Sequence, residues 1–291
     1  MARLIHLPSM PDEYEIAATG DWHCGAKAFH EGALDDLVGW LGEREHRYLG
    51  FSGDAIEGKR IDSPHFDPTA LREGQSTIEA QLRWVEKKVR PVKDRILWWG
   101  LGNHDLYVHP NCDPVLNFLE RLGIQHRMGG YQTWVNLAGL RGHIYHGRAS
   151  MPRGAKDPIQ REANQKAWLV NRLAPLAGDC HFHLMGHVHA LLVQPPQEEY
   201  ALLTGEDGVR ARYFRAPEQS VTTRDHRGAT DTRTFIPPYS RWYGCTGTLR
   251  RSGGFDYLDY SEIAGYPPAP IGWLKIHVGG AQVQAIDKVV V

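Results

Sequence analysis

The chain has 291 residues, 42% of them hydrophobic, and its 33 lysines and arginines nearly balance 34 aspartates and glutamates, for a formal net charge of −1. This length and apolar content suffice for one large domain whose core needs no disulfides. The near-neutral charge excludes a protein coated in basic surface for unspecific nucleic-acid binding, although it is compatible with a local basic groove.

The cysteines and the apolar segments indicate the compartment. Four cysteines are widely spaced and form no C-x-x-C pair, which favours reduced thiols over a disulfide framework or a zinc knuckle. The N-terminus has no apolar stretch of signal-peptide length, and no later run is long enough to span a membrane. We therefore expect a soluble, cytoplasmic protein that does not associate with membranes.

Strands and helices alternate along the first 190 residues. Residues 15–19 predict a buried strand that leads into Asp21 and His23. These two residues are two positions apart in an extended segment, so both can face one point. Leucine and valine at helical spacing then predict an amphipathic helix over 34–41.

The next unit repeats this pattern of a strand that ends in polar residues. A strand over 48–52 ends at Asp54, and apolar residues at helical spacing predict a long helix over 69–94 that Pro91 ends or kinks. A third strand, 96–101, leads into the tetrapeptide Gly-Asn-His-Asp at 102–105. Taken alone this tetrapeptide is also typical of a turn, but its position after a strand of an α/β pattern favours a ligand site.

A hairpin follows the next helix. Asp113 followed by proline predicts the start of a helix that ends at Gly123. Strands at 131–137 and 140–145 then form a predicted hairpin that leads to His146. His143 is the alternative candidate on this strand, but alternation would direct its side chain to the opposite side, so we favour His146.

The last motif follows one more helix. Asp157 and the proline after it predict the start of a helix that extends to about residue 173. An apolar strand over 181–185 then leads to His187 and His189. Of the remaining aromatic residues, we expect Trp98 and Trp99 in the core and place the following histidines at the surface of strands or loops: His109, His181, His183 and His226.

Beyond residue 190 the pattern changes to short alternating segments, which predict antiparallel sheet. We expect residues 1–291 to form one domain in which 195–240 is a hairpin or loop insertion that could cover the site. Within this insertion the polar stretch 217–234 has almost no apolar content, which predicts a long loop or an insertion over the site. Residues 241–291 would supply C-terminal strands of a second sheet.

The loops after successive strands share a donor chemistry of nitrogen and oxygen without thiolate or lysine: Asp21, His23, Asp54, Asn103, His104, His146, His187 and His189. Such a set suits Mn, Fe, Zn or Ni, whereas Ca or Mg prefers oxygen alone and structural zinc prefers cysteine. Even without His104, the seven remaining donors exceed one closed tetrahedral site, which favours two ions that share a bridging carboxylate. Asp54 is the natural bridge because it stands alone in its loop.

These motifs, in this order over residues 16–189, resemble the calcineurin-like metallophosphoesterase superfamily: Asp21-x-His23, Gly53-Asp54, Gly102-Asn103-His104-Asp105, His146-Gly147 and Gly186-His187-x-His189. The resemblance implies an α/β (α+β) four-layer fold in which two mixed sheets pack as a sandwich flanked by helices. It also implies a dinuclear metal site at the carboxyl ends of the strands.

The resemblance further implies a role for each motif residue. Asp21, His23 and His189 would hold one ion, Asn103, His146 and His187 the other, and Asp54 would bridge them. His104 would serve the substrate, and Asp105 would orient it. One departure is Glu57, where the family often has aspartate; we interpret it as a tolerated residue that acts behind the ligands.

The implied activity is hydrolysis of a phosphoester by hydroxide that two divalent ions, most simply Mn, generate from water. A rim of basic residues predicts a polyanionic substrate, with Lys59, Arg60 and Arg148 as substrate-binding candidates, although solvated surface charge is the plain alternative. Lys27, His30, Arg153 and Lys156 follow the same motifs. We expect a phosphodiester in DNA, RNA or a nucleotide, as in the phage-type and DNA-repair nucleases of this superfamily. The alternatives are a phosphomonoesterase or protein phosphatase, and a metal-poor scaffold that binds a partner; no ligand is missing here.

Overall fold

The computed structural model describes residues 2–59, 62, 66–106, 113–152, 154–206, 208–253, 265 and 268–291. Five strands form the first of two mixed sheets: β2 (Glu13–Thr19), β3 (Arg47–Phe51), β4 (Ile96–Trp99), β14 (Gly272–Gly279) and β15 (Gln282–Val290). Their order is β15-β14-β2-β3-β4. The adjacent strands β2, β3 and β4 are parallel, so their carboxyl ends meet at one edge of the sheet.

Six strands form the second sheet: β1 (Ala2–Leu7), β5 (Gln132–Leu137), β6 (Leu140–Tyr145), β7 (Phe182–Met185), β8 (Leu191–Gln194) and β13 (Trp242–Thr246). Their order is β1-β5-β6-β7-β13-β8. Strands β6, β7 and β13 are parallel neighbours, whereas β8 returns antiparallel to β13.

Four α-helices are described: α1 (Glu31–Glu43), α2 (Ile78–Val89), α3 (Pro114–Leu122) and α4 (Pro158–Leu173). The predicted caps of two of them are confirmed, because Asp113 and Asp157 accept hydrogen bonds from first-turn amides and each is followed by proline. Gly123 ends α3 with a left-handed φ of 76°.

The sheets and helices form the predicted four layers. Alternate residues of β2 separate two cores, since Ile16 faces the second sheet whereas Ala17 faces α1, α2 and α3. Leu184 of β7 belongs to the core between the sheets, and Met185 to the core beneath α4. Trp98 and Trp99 are fully buried, as predicted. The α/β sandwich of two mixed sheets flanked by helices is therefore confirmed.

The long helix predicted over 69–94 is wrong in extent. Pro68–Ala70 form one 3-10 turn, α2 begins only at Ile78, and Arg90–Arg95 form a second 3-10 segment. Gly74 adopts a left-handed φ of 73°, and Thr77 then caps α2. The left-handed glycine interrupts the helical conformation, and the threonine cap starts a new helix, although the apolar spacing continues along the chain.

The C-terminal strands divide between the two sheets, which corrects the expectation that 241–291 belong together to a second sheet. Strand β13 joins the six-stranded sheet, whereas β14 pairs with β2 in the sheet that leads to Asp21. The buried Trp273, Leu274 and Ile276 explain this position, because both faces of a central strand must be apolar. Strands β1 and β8 were not predicted from the sequence.

The hairpin insertion expected over 195–240 contains two hairpins, and strands replace the long loop expected over 217–234. Strand β9 (Glu199–Gly205) pairs with β10 (Gly208–Phe214), and β11 (Gln219–Arg224) pairs with β12 (Thr230–Phe235). The base of the second hairpin lies before the amino end of β7, because the amide of Ile236 donates to Gly178 O and His181 Nε2 contacts Glu218. The base of the first hairpin lies near the amino end of β13, because the amide of Gln197 donates to Tyr239 O. This end of the sheet is opposite to the motif loops, so the insertion projects from the domain on the side away from the site.

Candidate metal centre

Backbone strain marks the motif loops. Left-handed φ angles occur at Asp21 (50°), His23 (53°), Asp54 (58°), His187 (68°) and His189 (49°). Among the described residues the other non-glycine positions with positive φ are Ala138 and Ala281, each beside a glycine between two hairpin strands. Such conformations cost on the order of 1 kcal/mol or more each and persist where the surrounding structure requires them, commonly at functional sites. Five of the seven predicted ligands thus lie in strained backbone.

Both aspartates use one oxygen to hold the loops together and direct the other toward the histidines. Asp21 Oδ2 accepts the amide of His187 at 2.8 Å, and Asp54 Oδ1 accepts the amide of His104 at 2.8 Å. Asp54 also lies against Gly102, where a Cβ would come within 2.0 Å of Oδ1. The glycine of the Gly-Asn-His-Asp motif is therefore required for the close approach of this carboxylate.

The remaining oxygen of Asp21 belongs to a first donor set. Asp21 Oδ1 lies 3.5 Å from His189 Nε2, and His189 Nε2 lies 3.1 Å from His23 Nε2. Asp21 Oδ1 is buried and has no hydrogen-bond partner among the described residues. A buried carboxylate oxygen without a donor, beside two imidazole nitrogens that face each other, is the arrangement expected around a cation. The residues present therefore fit a metal ion.

The second donor set surrounds the amide oxygen of Asn103. Asn103 Oδ1 lies 2.9 Å from His187 Nδ1 and 3.0 Å from His146 Nε2. Asp54 Oδ2 lies 3.1 Å from His146 Nε2 and 4.0 Å from His23 Nε2. The same carboxylate oxygen therefore approaches both donor sets. The structure brings all seven predicted ligands together.

Acceptors behind the histidines orient their rings. His23 Nδ1 lies 3.0 Å from Glu57 Oε2, and His146 Nδ1 lies 3.1 Å from Ser52 O. Because a carbonyl or carboxylate only accepts, both rings donate from Nδ1 and present Nε2 to the donor sets. Ligating histidines commonly have such partners. Glu57, the departure from the family pattern, thus binds His23, and its other oxygen binds Lys59 Nζ at 2.8 Å.

In the described contacts Asp105 binds main-chain amides, whereas the resemblance implies that it orients His104. Its Oδ2 accepts the amides of Asp54 at 2.7 Å and Gly102 at 2.9 Å, and its Oδ1 accepts the amide of Ala55 at 3.1 Å. The buried carboxylate instead fastens two motif loops to each other. The donors from Asp54 and Ala55 lie in a loop 51 and 50 residues earlier, which the local sequence does not indicate.

The main chain of Glu57 orients His104. His104 Nδ1 lies 2.6 Å from the carbonyl oxygen of Glu57, so this nitrogen donates its proton and Nε2 is the one suited to serve a substrate. The ring also packs edge-on against His23, with centroids 4.6 Å apart. His104 therefore lies directly beside the first donor set.

Burial and opposite charge set the protonation of the two sets before any ion binds. Burial opposes protonation of His146, but Asp54 and Asp21 outweigh it and raise the pKa of His146 to about 9. Burial and the neighbouring His104 lower the pKa of His23 to about 4. Burial acts to raise the pKa of Asp54, yet the nearby imidazoles, His146 first, hold it below its usual range. Burial and the charge of Asp54 raise the pKa of Asp105 to about 7.

A cleft of about 480 Å³ opens beside the second donor set and is lined by Asn103, Leu106, Arg148 and His187. The guanidinium of Arg148 lies 5.6 Å from the ring centre of Tyr131, which packs edge-on against His146. Of the predicted substrate-binding residues, Arg148 lines this cleft and Lys59 pairs with Glu57. Arg60, together with Arg153 and His109, lies outside the described residues.

Hydroxyl groups beneath the Asp21 loop are site residues that the sequence did not reveal. Thr248 Oγ1 donates to Asp21 O at 2.7 Å, and Ser52 Oγ and Thr246 Oγ1 lie 2.7 Å apart. Thr246 is the last residue of β13 and Thr248 follows the strand, far from any motif in sequence. Serine and threonine are so common that no local signal distinguishes these three.

A two-sheet sandwich that gathers carboxylate, imidazole and amide donors at the carboxyl ends of its strands defines the calcineurin-like fold. The chain belongs to the calcineurin-like phosphoesterase family, whose model matches residues 14–217. In the described part of the chain, no helix combines the length and apolar character needed to cross a membrane.

Solved structures resemble this chain only remotely. A single mutant of Vps29 from Entamoeba histolytica is 9% identical with a TM-score of 0.35, covering 95% of this chain and 99% of that protein. The NAD nucleotidase of Haemophilus influenzae is 11% identical with a TM-score of 0.38, covering 96% of this chain and 50% of that protein. A protein of unknown function from Aquifex aeolicus is 14% identical with a TM-score of 0.28, covering 60% and 80%. The comparison with curated proteins found no match.

Proposed function

We propose that this protein is a phosphodiesterase that requires two divalent cations, Mn in the first instance. The observation that carries the proposal is the position of Asp54 Oδ2, which approaches His146 of one donor set and His23 of the other. Asp21, His23 and His189 would hold one ion, Asn103, His146 and His187 the other, and Asp54 both. When bound, two such ions supply a nucleophile at neutral pH and neutralise phosphate charge.

The chain's own residues would complete the reaction. His104, held through Nδ1 by Glu57 O, would place Nε2 where it can protonate the leaving oxygen or stabilise its charge. Arg148 would bind a non-bridging phosphate oxygen, because its guanidinium lines the cleft beside Asn103 and His187. A cation–π contact with Tyr131, 5.6 Å from its ring centre, would help to orient this guanidinium.

The cleft favours a diester of nucleic acid or a nucleotide as substrate. It combines the cation of Arg148 with the apolar side chain of Leu106, which is 47% exposed. A cation can bind phosphate while an apolar surface accepts the sugar or base of an ester group. A phosphomonoester has one ester group and two ionised oxygens. It would therefore contact Arg148 and the apolar surface together less fully than a diester would.

A substrate panel tests the proposal. Protein reconstituted with Mn would be assayed with p-nitrophenyl phosphate, its bis-ester, cyclic nucleotides, and single- and double-stranded oligonucleotides. We expect cleavage of diesters to exceed cleavage of the monoester in kcat/KM. Faster cleavage of the monoester than of every diester would instead identify a phosphomonoesterase, and no turnover by metal-loaded protein would identify a binding scaffold.

A matched pair of arginines tests the substrate site. Arg148→Glu should weaken oligonucleotide cleavage by about 10–100-fold at low salt, and the effect should shrink as salt rises. Arg172→Glu makes the same change on the exposed side of α4 and should alter cleavage little. Equal effects of the two variants would show that cationic surface in general, and not Arg148, meets the substrate.

A further inference from the structure

The first hairpin of the insertion carries an apolar face that no described residue covers. Tyr200, Leu202, Val209 and Tyr213 are 61%, 72%, 62% and 71% exposed. The rings of Tyr200 and Tyr213 pack on each other across the strands, with centroids 4.5 Å apart. A two-stranded hairpin alone is only marginally stable in water, and an exposed apolar face of this kind marks an interaction surface.

Strand register separates the two faces of this hairpin by chemistry. Tyr200 pairs with Tyr213, Leu202 with Ala211 and Thr204 with Val209, so these six side chains share one face, which we call the tyrosine face. Arg210 and Arg212 pair with Leu203 and Ala201 and therefore lie on the opposite face. The tyrosine face contains no charged residue. A nucleic acid would need cations on the surface it contacts, so this face does not suit one.

The tyrosine face suits a copy of itself. Its bulky end carries Tyr200 and Tyr213, whereas its other end carries Thr204 and Val209. If two copies stack face to face about a twofold axis perpendicular to the strands, the bulky end of each lies over the smaller end of the other. Leu202 then meets its own counterpart at the axis. This arrangement also directs the two bodies to opposite ends, and it is the self-matching contact that twofold symmetry requires.

The size of the face determines how strong the association is. The two tyrosines, Leu202 and Val209 together expose roughly 400 Å² of side chain. Two faces would therefore bury about 800 Å², less than the ~1,200 Å² of a standard stable interface. We propose that this protein forms a weak, concentration-dependent homodimer through the tyrosine faces of the β9–β10 hairpins.

Adjacent leucines on opposite faces of β9 provide the test. Sedimentation velocity from about 1 to about 200 μM, a range that brackets weak association, should show the mass rising from 32.8 kDa toward twice that value. Leu202→Arg opposes two like charges at the axis and should raise the dissociation constant about 100-fold or more. Leu203→Arg, at a residue 46% exposed on the other face, should change it by less than about threefold.

Each other outcome contradicts the proposal. A parent protein that remains monomeric throughout this range would overturn it. A dimer that survives Leu202→Arg, or that Leu203→Arg disrupts equally, would place the interface elsewhere. Thermal unfolding of both variants is the folding control, and because both leucines are exposed we expect melting temperatures close to that of the parent at low concentration.

Discussion

Two histidine pairs on neighbouring strands have the same ring geometry and opposite environments. His143 and His183 lie within β6 and β7, with ring centroids 5.4 Å apart at 69°. His146 and His187 lie just beyond the ends of the same strands, with centroids 5.4 Å apart at 72°. The first pair faces Arg241 and Tyr243 beneath α4, whereas the second faces Asp54, Asp21 and Asn103.

The difference shows that position and partners, rather than residue type, define the site. Burial lowers the pKa of His143 to about 4, since no carboxylate of a described residue opposes it, and burial with the neighbouring His143 and Arg241 lowers the pKa of His183 well below its usual value. Asp54 instead raises the pKa of His146 to about 9. The mid-strand pair is therefore a neutral part of the core, and the strand-end pair is suited to bind cations.

Removing the carboxylate that distinguishes the two pairs should have the largest effect. Asp54→Ala deletes the one oxygen that approaches both donor sets, so we expect it to release both ions and lower turnover by about 10⁴-fold or more. Elemental analysis and diesterase assays check this, with Asp36→Ala on the exposed side of α1 as the control. Full metal content with normal turnover would disprove the bridging role.

His104→Ala should separate a substrate histidine from the ligand histidines. Since the His104 ring bonds to Glu57 O, and the main-chain amide that holds Asp54 remains in the alanine variant, metal content should stay near that of the parent while turnover falls about 10²–10⁴-fold. The surface variant His126→Ala should change neither quantity. Loss of metal in parallel with turnover would instead make His104 a ligand.

The mid-strand pair should make the protein sensitive to acid. The depressed pKa of His143 means that, between about pH 6.5 and pH 4, the unfolded chain binds more protons than the folded one, so stability falls as pH falls through this window. The loss is at most ~3 kcal/mol for His143. Urea unfolding at about pH 6.5 and pH 4 should show that His143→Leu, which has no imidazole to protonate at this position, loses less free energy of unfolding than the parent. An equal loss in both proteins would contradict the depressed pKa.

Substitution of Glu57 should have the smallest effect, and it should change metal affinity alone. Glu57→Ala removes the acceptor behind His23 Nδ1 but leaves the carbonyl that holds His104. We expect metal affinity to fall about 10–100-fold with kcat at saturating metal nearly unchanged. Glu57→Gln keeps an acceptor for His23 and should lose less. A lower kcat at saturating metal would show that Glu57 acts on the substrate side.

Sequence patterns predicted what depends on neighbouring residues. The helix between Asp113 and Gly123 and the hairpin that leads to His146 followed from caps, alternation and turn residues. His183 shows the limit of such patterns, since it was expected at the surface and is fully buried. Its environment comes from His143 and from Tyr243, which stacks on it from a strand 60 residues later, with centroids 5.1 Å apart. The main-chain partners of Asp105, and Thr248 itself, were missed for the same reason.

The most direct test compares His146 with His143 in metal binding. Calorimetric titration of the metal-free protein with Mn should give two sites per chain, and His146→Leu should remove at least one of them. His143→Leu makes the same change three residues earlier on the same strand and should retain both sites. Two full sites in His146→Leu, or the loss of a site in folded His143→Leu, would contradict the assignment of the metal centre to the strand ends.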